Sequence, residues 1–328
     1  THKRNAEWWN KHEGNVQESI FTPIGNDATR LSALISGEID FVQDPAPRDI
    51  ARLRNTAGVK VVDGMEQRIV FIGMDQMRDK LLYAAVPGDK NPFKDQRVRK
   101  ALYQAVDIET LKTKLMQGQS LPTGSMTPSP IASFNDQALE SRHPFNLEAA
   151  KKAMADAGYP EGFEVTLDCP NNRYVNDEEI CISLAAMWSQ LKVKVKVNAM
   201  PRTTYFPKLE KHDTSMYMLG WGGAITDAET VLTPVMRNPA DKGVGFYNYG
   251  RSTNDKFDKL AAASSTEGDL AKRKELIKEA LLEWKEQVHT IPLHRQIIPW
   301  AVKPGVNLVH RADNYVTVEW ISVSGNPK

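Results

Sequence analysis

The chain has 328 residues, of which 41% are hydrophobic and 25% charged, and its formal net charge is +1. That length exceeds one ordinary domain, so two lobes are expected. The balanced charge offers no field for nucleic acid or an anionic membrane, and no apolar run approaches the roughly 20 residues of a membrane span.

Residues 21 to 90 read as strand, helix, helix, strand. Asn26 or Asp27 can cap a helix running to Ser36, and Gly37 supplies the left-handed residue that ends it. Glu38 to Val42, Val59 to Val62 and Ile69 to Met74 are β-rich, and Asp79 to Phe93, with Pro87, Gly88 and Pro92, reads as a linker. From Lys94 helices dominate. Asp95 is placed to cap a helix over 95–106, with Val98, Ala101, Leu102 and Ala105 as its apolar stripe and Asp107 at its close. A helix over 108–117 follows, and another over 147–157 ends at Gly158. Phe163 to Asp168 (strand), Asp177 to Leu191 (helix) and Val193 to Val197 (strand) form a β-α-β unit, which requires parallel strands. Ser215 to Leu219 is a buried strand, and helices are expected near 227–236, 254–263 and 269–288. Thr290 to Ala301 reads as a strand interrupted by prolines, and Asn307 to Ile321 as β-rich. The lysines alternating with valines over 192–197 fit a half-exposed strand that resists edge pairing.

No H-E-x-x-H, no G-x-S-x-G and no phosphate-binding glycine loop is present, and the seven histidines are scattered. The two cysteines, Cys169 and Cys181, fit no zinc signature. They are either two buried thiols or a disulfide tying a strand end to the next helix, the latter being expected in an oxidising compartment. Two loops invite a ligand. Asn171, Asn172, Arg173 and Tyr174 lie between a strand's C-terminal end and a helix N-terminus, where open α/β sheets bind ligands and helix amides can receive an anion. Trp221 with Gly222 and Gly223 offers a flat wall and close backbone approach, and Tyr247 sits in the aromatic run Phe246 to Arg251. The plain alternatives are a polar surface loop, a tight turn beside a core Trp, and simple aromatic packing.

The wording of several segments adds to this. Asn91 to Asp107 reads NPFKDQRVRKALYQAVD; Arg4-Asn5 with Trp8-Trp9 resembles RNPxYW; Leu34 to Asp40 reads LISGEID. Leu147 to Tyr159 reads LEAAKKAMADAGY, Tyr247 to Leu260 reads YNYGRSTNDKFDKL, and Ile291 to His294 reads IPLH where relatives have IPLY. Together these resemble the family 5 extracellular solute-binding proteins of ABC importers, over nearly the whole chain. The resemblance implies an α/β, type II (cluster C) periplasmic binding protein fold of two lobes. It implies that the N-terminal part of the family pattern is missing, the chain starting at Thr1 as a processed or trimmed product. The expected division is 1–93 plus 305–328 for a partial first lobe and 94–304 for a helix-rich second lobe, crossing near Pro92 and Pro304-Gly305. An incomplete first lobe should show an unpaired sheet edge or an apolar patch.

The implied function is capture of a small molecule or short peptide in an inter-lobe cleft and delivery to an ABC permease. The implied protein is a periplasmic or membrane-associated extracytoplasmic monomer, without enzymatic activity, cofactor or metal. The implied ligand residues are Asn172, Arg173, Tyr174, Trp221, Gly222, Gly223, Ala224 and Tyr247. A periplasmic chaperone or sensor-docking module of the same fold, or a hydrolase, are the alternatives. Two positions depart from the dipeptide-binding pattern: Ala224 stands where such relatives hold the peptide amine with Asp, and Glu178 where they hold the carboxylate with Arg. An amine buried without a carboxylate is costly, so a dipeptide gripped by both termini is not expected. Asp227 is expected to cap a helix rather than meet the solute.

Overall fold

A computed structural model describes residues 1–128, 136–222 and 227–324. In chain order the main elements are α1 (Asp27–Ser36), β1 (Phe41–Gln43), α2 (Pro47–Arg54), β2 (Lys60–Met74), α3 (Gln96–Gln104), β3 (Ser120–Pro122) and α4 (Leu147–Asp156). They continue as β4 (Glu164–Pro170), α5 (Asp177–Trp188), β5 (Lys194–Met200), α6 (Arg202–Glu210), β6 (Met216–Gly222), α7 (Asp255–Thr266), α8 (Leu270–Gln287) and β7 (Thr290–Val302).

The chain divides into two compact units, Thr1–Glu66 with Ile297–Lys328, and Gln67–Gln296. The sequence suggested divisions at 93/94 and 304/305. The observed ones fall inside β2 and β7, whose 15 and 13 residues run on where the sequence showed separate β-rich runs and prolines.

In the smaller unit, Asn26 accepts from the Thr29 N–H and caps α1, and Gly37 ends it at φ 85°. Leu31, Leu34, Val42, Ile50, Leu53 and Ala301 form its core. Trp300 to Val302 pair antiparallel with β1, and the Trp300 ring meets Phe41 edge-on at 5.4 Å. The stretch expected as β-rich, 307–321, is mostly irregular; Val306–Asn307 pairs with Ser322–Val323. Trp9, Ile20 and Phe21 are 82%, 71% and 76% exposed.

In the larger unit, β4 lies between β5 and β6. It runs parallel to β5 over its full length, as the β-α-β reading requires, and parallel to β6 through Leu167 and Asp168. Arg68 to Met74 of β2 lie antiparallel to β6. One face carries Val70, Ile72, Val165, Leu167, Met216 and Met218 against α3 and α5. The other carries Ile69, Phe71, Tyr217 and Leu219 against α6, α7 and α8. Asp95 caps α3 by accepting from the Arg97 N–H. Asp107 does not close that helix: α3 stops at Gln104, and Asp107 instead caps the turn that follows, accepting from Thr110. Helix α6 was not legible, because Pro207 lies inside it.

Candidate functional site

The C-terminal ends of β4 and β6 bring part of the expected set together, all within the larger unit. The chain leaves β4 at Pro170 and enters α5 at Asp177. Between them Arg173 lies over the Tyr174 ring, its guanidinium carbon 5.1 Å from the centroid. Arg68 of β2 approaches the same ring at 5.9 Å. Each such contact is worth roughly 0.5–1 kcal/mol where solvent reaches it, and together they place two cations beside the strand ends. The Tyr174 hydroxyl donates to the Gly220 carbonyl at 3.3 Å. One residue on, Trp221 donates from its indole N–H to the Thr230 carbonyl, and its ring meets Tyr247 at 4.7 Å with a 50° tilt. Trp221 and Tyr247 are half-buried and pack at the edge of the larger unit's second core. The rim therefore combines guanidinium groups with a two-ring apolar wall.

Several expected roles change. Tyr174 was read as a ligand-lining ring, but it is only 7% exposed. It packs so closely that a Cβ at Gly220 would lie 2.5 Å from its Cε1. Its part is to support Arg173 from below. Gly222 was read as a place for close ligand approach; it faces Arg68 in the ladder, and a Cβ there would meet the Gln67 carbonyl at 2.8 Å. The glycine serves strand pairing. The Asn172 side-chain Oδ1 accepts from the Arg202 N–H at 2.8 Å, which secures the start of α6. Gly223 and Ala224 lie outside the described residues. Glu178 stands in the first turn of α5, half-buried. Asp227 receives the Glu229 N–H and a bidentate Arg273, both oxygens at 2.8 Å. Arg273 holds its carboxyl below the usual range, so Asp227 ties α8 to the start of the next turn, in keeping with a capping role.

The amides offered to an anionic solute are already taken. Asp177, 4% exposed, accepts from Arg173 N–H at 2.8 Å and Tyr174 N–H at 3.0 Å on one oxygen, and from Glu178 N–H at 3.1 Å on the other. Burial pushes its carboxyl up against the opposing pull of those bonds. Sequence reasoning gave Asp177 only the start of a helix. Cys169 and Cys181 are joined by a disulfide, with Cα atoms 6.7 Å apart, which ties β4 to α5 around this loop. Asp168, fully buried one residue before Cys169, accepts from Thr214 and Asn198 at 2.7 Å.

Among the described residues no group of three or more His, Cys, Asp or Glu is placed to hold a metal ion. A groove of about 740 Å³ runs along Tyr83 to Ala85, Glu164 to Thr166 and Val193 to Lys196. It lies at the N-terminal ends of β4 and β5 and shares no residue with the rim.

Comparison with solved structures defines the class. A Helicobacter pylori ABC transporter-associated periplasmic binding protein DppA, in complex with the peptide STSA, superposes with a TM-score of 0.84 at 18% identity. That match covers 98% of this chain and 59% of the other. A Pseudoalteromonas dipeptide-binding protein in complex with Met-Leu gives 0.82 at 20% identity, covering 98% and 61%. The fold is thus that of the periplasmic binding proteins. The family model described as bacterial extracellular solute-binding proteins, family 5 Middle, matches residues 1–243, and the chain belongs to that family. Heme-binding protein A of Haemophilus influenzae is 24% identical over 281 residues, covering 85% of this chain and 48% of that protein. The chain spans about half to three-fifths of the length of these relatives. No described helix is long and apolar enough to cross a membrane.

Proposed function

We propose that this chain forms part of the solute-binding component of an ABC importer, working outside the cytoplasmic membrane and delivering its solute to the permease. The solute is peptide-like or another polar organic molecule carrying an acceptor or anionic group. Arg173 donates to that group in a fixed fork, and Trp221 with Tyr247 covers its apolar part. The observation that carries this reading is the grouping of Arg173, Trp221 and Tyr247 at the C-terminal strand ends of a family 5 fold. Relatives whose names specify heme and peptides support a shared fold with an exchangeable rim. The Glu178 and Ala224 departures argue for a grip other than one on both ends of a dipeptide.

Native mass spectrometry of the protein purified from its source cells identifies the co-purifying solute. Calorimetry with that solute and with a dipeptide panel then compares wild type with Arg173→Ala. Weakening by at least a few-fold in the variant is expected. Unchanged solute affinity, or tight dipeptide binding by wild type, overturns the reading.

A further inference from the structure

The loop carrying Arg173 is held by an unusual inward-turned carboxylate. Asn176, at φ 55° and ψ 34°, reverses the chain just before α5, so Asp177 faces back over the loop instead of outward. Its Oδ2 gathers the Arg173 and Tyr174 N–H groups. Val175 N–H donates to the Gln296 side chain at 3.0 Å, and Asn176 Nδ2 to the Leu115 carbonyl at 3.2 Å, fixing the far side. The Cys169–Cys181 bond closes the base. Asn171 and Asn172 are exposed polar residues. Without these ties the segment would have to be ordered by solute, and that entropy would be subtracted from affinity.

We infer that Asp177 is the positioning residue of the solute site: its carboxylate sets the backbone of Arg173 and Tyr174, and so aims the Arg173 guanidinium before solute arrives. This rests on the reading of the rim as the solute site. An ionised acceptor bonds N–H groups about twice as strongly as a neutral one. Asp177→Asn removes the charge and nearly preserves shape, and it turns an amide NH₂ toward donors that need an acceptor. A residue that only stabilised the fold would, when weakened, lower protection throughout the larger unit. A positioning residue lowers it at the loop alone.

The test is amide hydrogen exchange on wild type, Asp177→Asn and Arg173→Ala, alongside calorimetry with the co-purified solute, identified by native mass spectrometry, as the probe. In Asp177→Asn the amides of residues 173 and 174 should exchange roughly tenfold faster, with β4, β5 and β6 unchanged, and probe affinity should fall by a comparable factor. Retained protection at 173 and 174, or uniform loss across the sheet, overturns the inference. So does loop loosening with full probe affinity in Asp177→Asn while Arg173→Ala is weakened. Loosening in Asp177→Asn with Arg173→Ala binding as wild type instead overturns the rim as solute site, and leaves the hold of Asp177 on the loop standing.

Discussion

Replacing His294 by Phe isolates the cost of protonating a histidine in the interior. His294 lies in β7, 1% exposed, and among the described residues neither ring nitrogen has a hydrogen-bond partner. Burial, with a smaller push from the Arg142 guanidinium, drives its pKa down from 6.5 to about 4. The folded state therefore keeps the ring neutral where the unfolded chain has already bound a proton. Between pH 6.5 and 4 the unfolded state holds more protons, so stability falls as pH falls across that window. The neutral ring's contribution is complete above pH 6.5 and is lost by about pH 4. At about 1.4 kcal/mol for each pH unit, the loss is roughly 3 kcal/mol. His289, driven to about 3 chiefly by burial, adds loss in the same direction but is present in both proteins and cancels. Thermal unfolding at pH 7, 5.5 and 4 should thus show wild type losing roughly 4–6 °C more than His294→Phe between the extremes. His294→Gln, which also removes the titration, guards against a packing effect peculiar to Phe. Parallel pH profiles in wild type and both variants would refute the reasoning.

Other changes test the remaining architecture. Cys169→Ser/Cys181→Ser should lower stability by about 3 kcal/mol, the entropy of a short closed loop, and reductant should reproduce the shift in wild type; an unchanged denaturation midpoint counts against the bond. Gly220→Ala should cost roughly 1–3 kcal/mol by driving Tyr174 from its seat, read by urea unfolding and by loss of rigidity in near-ultraviolet circular dichroism. Arg99→Lys should destabilise on the order of 3 kcal/mol, because one ammonium cannot reach the Phe93, Lys94, Gln287 and Val288 carbonyls that the guanidinium spans; a wild-type midpoint for this variant would show those bonds to be dispensable.

The sequence disclosed the β-α-β unit well because two signals agreed there: valine-rich runs of strand length, and a helix whose apolar residues recur at helical spacing. It also named Trp221 and Tyr247 as candidates for one cleft, and their rings meet at 4.7 Å. It did not disclose which polar groups in the loop were already spent. Asp177 opens a helix beside Glu178 and Glu179, and three acids in a first turn read as an ordinary response to the helix dipole. Only the left-handed Asn176 turns the first of them inward. Tyr174 sits in a polar run and so reads as exposed; its burial depends on Gly220, 46 residues away. Long strands were cut short for a similar reason. Pro292 and Pro299 remove ladder donors locally, yet β7 passes through both, because the rest of its ladder does not depend on those two N–H groups.

Most residues that betray the family stand apart from those proposed to meet a solute, although Tyr247 opens one of the family segments and also lines the proposed rim. The signature around Asn91 to Asp107 is scaffold. Asn91, 6% exposed, donates to the Asp75 and Arg78 carbonyls and receives the Phe93 N–H. Arg99, 4% exposed, joins the start of α3 to the end of α8 through four carbonyls, and burial lowers its pKa to about 10. Among the described residues this guanidinium forms no ion pair, and only the weaker pull of the Asp95 charge opposes its burial, so each carbonyl must be in place. The rim is built the other way: Arg173, Trp221 and Tyr247 are half-buried side chains standing on a backbone that Asp177, the disulfide and Gly220 already fix. On the proposed reading, changing one of them would alter the chemistry offered to a solute while leaving the strands beneath in place. That separation explains how a family signal can be strong in a chain whose ligand the same signal does not name.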